Sequence, residues 1–293
     1  MAETAWRLFR VGNLGFHYSL ADSAASERNL VLVHGSLVDV RSWDRHVEAF
    51  SRRFKTLAYS RRYNYPNLNS WSGEDHSVAI EAEDLASLLR GLQLVPARIV
   101  AHSLGAYVAL YLAIQEPGLV HSLVLSEPPV LPLLRTSEPS LQQLYDEHMT
   151  HLWEPVRKAW LRKDREAAVR STIAYFQGEG QYDRFPLHLR QALLDNSLEW
   201  EAIAFSRDPF SVIPEDSIRA LRVPALLLQG ERSLPFFKAI TDRILELNPA
   251  VRITVIEDAG HEMWDSHPGD CRRAGLRFLL EMDRQGRTRT NTD

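Results

Sequence analysis

Ser103 is the residue best placed for chemistry, because Ile99-Val100-Ala101-His102-Ser103-Leu104-Gly105-Ala106 reads as a strand running straight into a helix with a serine at the junction. A serine there can be a plain helix N-cap. It can also be a nucleophile, but a hydroxyl is a poor one at neutral pH and needs an adjacent base. An imidazole can take the proton and return it. Eleven histidines are available, among them His34 in His34-Gly35-Ser36, His102 beside the serine, and His261 in Asp258-Ala259-Gly260-His261. His102 adjoins Ser103 in sequence, yet a tight strand-to-helix turn aims the two side chains apart. The residues two before and two after the serine, Ala101 and Gly105, are both small.

The elements that must hold these groups follow from hydrophobic periodicity. Trp6 to Leu20 reads as two alternating runs broken by Gly12-Asn13, a hairpin at a sheet edge. Short apolar runs at Leu30–Val33, Thr56–Tyr59, Ile99–Ala101, Leu123–Leu125, Ala225–Leu228 and Ile253–Ile256 suit strands covered on both faces. Helix-period segments lie between most of them. From His76 to Leu92, for example, Val78, Ala82, Leu85, Leu88 and Leu89 fall on one face. Alternating strand and helix predicts an α/β fold with a doubly wound, mostly parallel sheet. The pattern breaks between about Pro128 and Pro224, which is helical, strand-poor and rich in aromatics such as Tyr145, Trp153, Trp160, Phe176 and Trp200. That block reads as an inserted cap, since it follows the C-terminal end of a strand, where open α/β sheets place their ligand crevice. The expected division is a core of residues 1–129 and 216–283, a helical cap of 130–215, and a disordered polar tail of 284–293.

Composition narrows the function classes. A net charge of −4 gives no basic field for nucleic acid or anionic membrane. The expected partner is therefore a small molecule, apolar or aromatic-bearing given the cap. The single cysteine, Cys271, excludes an intrachain disulfide, and no apolar stretch reads as a signal peptide or membrane span. A cytoplasmic location is expected. No metal-ligand spacing, phosphate loop or dinucleotide fingerprint stands out, so no cofactor or metal is expected. Arg61 and Arg62 follow a strand but read as solvated, and Trp264 reads as a pocket wall or a packing residue.

The junction at Ser103 resembles the nucleophile elbow of the α/β-hydrolase family, with Ala101 departing by one methyl from the usual glycine. His34-Gly35-Ser36 after an earlier strand, and Gly260-His261 after the last, occur in the family's order. The resemblance covers roughly 30–128 and 223–280. It implies Ser103 as nucleophile, His261 as base, and an oxyanion hole from the backbone N–H of Leu104 and of Ser36, Gly35 being the lesser choice. The side chain of His34 is assigned to bracing its loop. For the acid, the family's commonest position falls in Gly230-Glu231-Arg232-Ser233, where serine replaces the expected aspartate. A second placement, used by certain lactone hydrolases of the fold, falls on Glu127, which is 24 residues after Ser103 in Val124-Leu125-Ser126-Glu127. Glu127 is therefore expected as the acid, with Glu231 and Asp258 as runners-up. The implied activity is hydrolysis of a carboxylic ester or lactone through an acyl-enzyme. Carbon–carbon bond hydrolysis by the same residues, a non-enzymatic ligand receptor and a cofactor-free oxygenase are the alternatives, and oligomeric state stays open.

Overall fold

The computed structural model describes residues 6–22 and 28–290. Eight strands form one sheet: β1 (Arg7–Val11), β2 (Leu14–Ala21), β3 (Asn29–Val33), β4 (Lys55–Tyr59), β5 (Ala97–His102), β6 (Val120–Ser126), β7 (Ala225–Gly230) and β8 (Arg252–Ile256), in the order β1-β2-β4-β3-β5-β6-β7-β8. Gly12, at φ 56°, turns β1 back onto β2, and β2 pairs antiparallel with β4; from β4 to β8 every pairing is parallel.

The continuous apolar strands divide their side chains between two covered faces, as a two-residue period requires. Val31, Val33, Ile99, Ala101, Leu123, Leu125 and Leu227 join one apolar cluster, while Leu30, Leu32, Val100, Val124, Leu226 and Leu228 join another. The helices are α1 (Asp44–Ser51), α2 (Val78–Gly91), α3 (Leu104–Gln115), α4 (Pro139–His148), α5 (Glu154–Leu161), α6 (Arg165–Gln177), α7 (Gln181–Arg184), α8 (Leu187–Asp195), α9 (Leu198–Phe205), α10 (Glu215–Ala220), α11 (Pro235–Leu247), α12 (Met263–Ser266) and α13 (Pro268–Thr290). Side chains of α2, α3 and α11 fill the first cluster, and Phe50 of α1 with Phe278 and Leu279 of α13 fill the second. Burying each such side chain contributes roughly 1.5–3 kcal/mol. Helix α2 shows how the sequence dictates this: Ser77 caps it by accepting from the Ile80 N–H, and Val78, Ala82, Leu85, Leu88 and Leu89 are all buried.

Helices α4 to α9 occupy the stretch between β6 and β7, and Trp153, Trp160 and Trp200 carry the first cluster up into them. The expected tail of 284–293 is corrected in part, because the backbone of α13 stays helical through Thr290. Phe278, Leu279 and Met282 anchor the preceding turns, and extending a nucleated helix is cheap. Residues 291–293 lie outside the described residues. Among the described residues no helix is long and apolar enough to cross a membrane.

Candidate active site

Strand register brings the chemical groups together. His102 at the end of β5 pairs with Ser126 at the end of β6, so the next residues, Ser103 and Glu127, emerge side by side. Both continue the ladder past the strand ends: Ser103 N–H donates to Ser126 C=O at 2.8 Å, and Glu127 N–H donates to Leu228 C=O at 3.2 Å. Both also sit at positive φ, 52° for Ser103 and 48° for Glu127. Holding a non-glycine residue there costs on the order of 1–3 kcal/mol, which the surrounding packing must offset. The turn at Ser103 closes because Gly105 has no side chain, since a Cβ there would stand 2.3 Å from the His34 carbonyl oxygen and 2.9 Å from that of Val33.

His261 follows β8 and bridges the pair, its Nε2 lying 3.0 Å from Ser103 Oγ and its Nδ1 2.6 Å from Glu127 Oε2. Glu127 is buried, and its second oxygen accepts from Gly230 N–H at 2.8 Å and from the Ser233 hydroxyl. The serine at the commoner acid position thus serves the carboxylate rather than replacing it. Gly230 is required for this approach, as a Cβ there would meet the carbonyls of Ala259 and Gly260 at 2.5 and 2.7 Å. The other two acids lie elsewhere: Asp258 pairs with Arg232 at the surface, and Glu231 accepts from Asp258 N–H at 2.9 Å.

The His261 ring stacks on Phe237, with centroids 4.3 Å apart, and Phe176 of α6 lies beside both rings, 5.4 Å from His261 and 6.4 Å from Phe237. His102 points away from the Ser103 hydroxyl. Its Nε2–H donates to the His261 carbonyl at 2.8 Å, pinning the loop that carries the histidine. Burial, with His261 nearby, lowers the His102 pKa to about 3, so it stays a neutral donor.

The His34-Gly35-Ser36 turn is braced from behind. His34 Nδ1–H donates to Gly35 C=O at 2.7 Å, and Nε2 accepts from Arg61 N–H at 3.0 Å, which fixes its tautomer; burial, reinforced by Arg61, lowers its pKa to about 3. Arg61 corrects the sequence reading, which left it solvated. Its side chain is fully buried, with Nε donating to His34 C=O and Nη2 to Gly35 C=O, each at 3.0 Å. A trans peptide points C=O and N–H in opposite directions. Tying down Gly35 C=O therefore turns the Ser36 N–H the other way. Leu104 N–H, in the first turn of α3, has no intrahelical acceptor.

Arg61 is neutralised by Glu81 of α2 at 2.6 Å and by Glu199 of α9. Burial pushes Glu81 up, but Arg61 and His76 outweigh it and bring it to about 2, whereas burial leaves Glu199 raised. His76, Glu81 and Glu199 have the donor types of a metal site, with ligand atoms within 4.8 Å of one another. The guanidinium already supplies the positive charge there. Arg62 pairs bidentately with Asp84 at 2.7 Å. Trp264 lines the site and also donates to Ser126 Oγ at 2.8 Å. Ser36 Oγ is buried with no hydrogen-bond partner among the described residues.

Residues 30–274 match the model of a family described as the alpha/beta hydrolase family. The chain is 25% identical over 279 residues to the sn-1-specific diacylglycerol lipase ABHD11 of Mus musculus, covering 91% of this chain and 85% of that protein. Among solved structures it is similar to the enol-lactonase from Burkholderia xenovorans LB400, with a TM-score of 0.75 at 16% identity, over 94% of this chain and all (100%) of that one. It is also similar to carboxylesterase CesB (YbfK) from Bacillus subtilis, with a TM-score of 0.69 at 20% identity, over 94% and 92% of the two chains. At such identities the structural likenesses show the fold.

Proposed function

The chain belongs to the alpha/beta hydrolase family, and from that membership we propose that it is a serine hydrolase cleaving a carboxylic ester or lactone. The observation that carries the reading is the continuous hydrogen-bond chain from Ser103 Oγ through His261 to Glu127, at 3.0 and 2.6 Å. Ser103 attacks the carbonyl carbon while His261 Nε2 takes its proton. Glu127 holds the Nδ1–H tautomer and stabilises the imidazolium that forms. Negative charge developing on the carbonyl oxygen is met by the N–H groups of Leu104 and Ser36, aimed beforehand by the start of α3 and by the Arg61 brace. His261 returns the proton to the leaving oxygen, giving an acyl-enzyme, and the reverse sequence with water releases the acid. The lipase, enol-lactonase and carboxylesterase named among the similar proteins support an oxygen ester as the bond cleaved. Helices α4 to α9 act as the cap, since Phe176 and Trp200 of α6 and α9 complete the walls around Ser103.

A fluorophosphonate probe tests this directly, because an activated serine beside oxyanion donors attacks phosphorus as it does a carbonyl. Mass spectrometry should find the adduct on Ser103, with Ser103→Ala unlabelled, inactive and still folded. Labelling at another serine, or none in folded protein, removes the assignment.

A further inference from the structure

Two cavities of different size meet at Ser103, both largely apolar, and the larger also carries polar groups on its border. The larger, about 170 Å³, is bordered by Ser42, Gln177, His261, Glu262 and Asp265. The smaller, about 30 Å³, lies against Leu104 and is walled by Pro129, Leu152, Trp153, Phe210 and Phe236. Part of its wall comes from an irregularity in the fold: between α4 and α5 the backbone widens into a π-helical turn, Met149–Trp153, which carries both Leu152 and Trp153.

The smaller cavity is apolar in effect. His148, its one imidazole, has both ring nitrogens engaged: Trp153 Nε1–H donates to Nε2 at 3.2 Å, and Nδ1–H donates to the Tyr175 hydroxyl at 2.9 Å. Burial lowers its pKa to about 3, so it offers a neutral ring face to whatever enters.

On the serine hydrolase reading, on which this inference rests, the reaction decides which half of an ester goes where. As the Oγ–carbon bond forms and the carbon–alkoxy bond breaks, the Ser103 proton passes through His261 to the departing oxygen. The alcohol half must therefore leave on the side of His261, which borders the larger cavity and not the smaller. We propose that the smaller cavity is the acyl site and that the substrate is an ester of a short acyl chain, about two to four carbons, with a bulkier, non-anionic alcohol. A single water needs roughly 10–15 Å³, so the space beside Leu104 holds only a few atoms beyond the carbonyl carbon. Among the described residues no lysine or arginine lines the larger cavity, while Glu262 and Asp265 do, so an anionic alcohol meets like charge there.

The test is a matrix of kcat/KM values for the full chain: p-nitrophenyl esters from acetyl to dodecanoyl, and acetate esters of ethanol, 1-naphthol and an acid-bearing phenol. The expected acyl profile peaks between acetyl and butyryl and falls at least about tenfold by octanoyl, a step in keeping with the 10–200-fold that single methylenes cost in closed pockets. Naphthyl acetate should be cleaved at least as well as ethyl acetate and better than the acid-bearing ester. Leu152→Ala should move the acyl optimum to longer chains; if that variant does not fold, the wild-type matrix decides alone. An optimum at octanoyl or beyond, or tolerance of long acyl chains with rejection of naphthyl acetate, overturns the acyl-site assignment and leaves the hydrolase reading standing. Turnover of none of the esters with Ser103 still labelled by fluorophosphonate sinks the substrate class alone. No turnover together with no labelling sinks the hydrolase reading beneath it.

Discussion

Glu127→Gln is the substitution on which the proposed mechanism is most exposed, and the structure fixes how the amide must sit. Glu127 Oε1 accepts from two donors, Gly230 N–H and the Ser233 hydroxyl, so that position demands an oxygen. The glutamine NH2 is thereby driven to the other side, toward His261 Nδ1, now 2.6 Å from a carboxylate oxygen. There it is a donor facing a donor. The imidazole relieves the clash by moving its proton to Nε2, and it then has no lone pair for the Ser103 proton. Charge stabilisation of the imidazolium is lost as well. The same exchange in serine proteases, the handicap established for another fold, lowers turnover about 10⁴-fold. A loss between about 10² and 10⁴ in kcat is expected, equivalent to roughly 3–5 kcal/mol of barrier. The assay is initial-rate kinetics on a p-nitrophenyl ester, with thermal melts confirming the fold and with Glu231→Gln and Asp258→Asn alongside, both expected to stay within about threefold of wild type. Near-full activity in Glu127→Gln would refute the reasoning, and loss in either control would move the acid elsewhere.

Gly105→Ala places a Cβ 2.3 Å from a backbone oxygen and should abolish folding or cut the melting temperature sharply, whereas Gly269→Ala, with nothing within 4 Å of its new methyl, should leave it unchanged or higher; equal effects in melts contradict the steric account. Arg61→Met leaves Glu81 and Glu199 buried without their cation and should destabilise by about 3–5 kcal/mol in denaturant titration, well beyond Arg62→Met, whose partner Asp84 burial already pushes up to about 6. Stability should also fall as pH drops from 6.5 toward 4. His34, His102 and His148 hold pKa values near 3 and His46 near 4, lowered chiefly by burial, so in that window the unfolded chain binds the protons and the folded one does not. Each removes up to about 1.4 kcal/mol per pH unit, partly offset by Asp84, whose raised pKa acts in the opposite sense; a melting temperature constant from pH 7 to 5 would rule this out.

The sheet and the elbow were legible because their signals are local. Short β-branched runs, a serine between small residues and a glutamate just past a strand each state their geometry within a few positions. What stayed hidden depends on contacts across long stretches of chain. Arg61 looked solvated because its partners lie 20 and 138 residues away, and nothing in Arg61-Arg62-Tyr63 marks which arginine turns inward. One trace was present: Glu81 and Asp84 fall on the buried side of α2, where unpaired acids would be costly, and each required a cation. The contact of His102 with the His261 carbonyl spans 159 residues, and the aromatic cluster of Phe176, Phe237 and His261 joins two helices far apart in sequence. The end of α13 was misread because a polar stretch extending an anchored helix needs no apolar stripe of its own.

The ion pair between Arg61 and Glu199 has a mechanical consequence. Glu199 belongs to α9, so detaching that helix from the sheet would strand a fully buried guanidinium and carboxylate, and Arg61 would loosen its hold on the two carbonyls behind Ser36. Such a break costs several kcal/mol. Helix α9 is thus bound to the turn that carries Ser36, and it cannot lift from the sheet without breaking a buried ion pair.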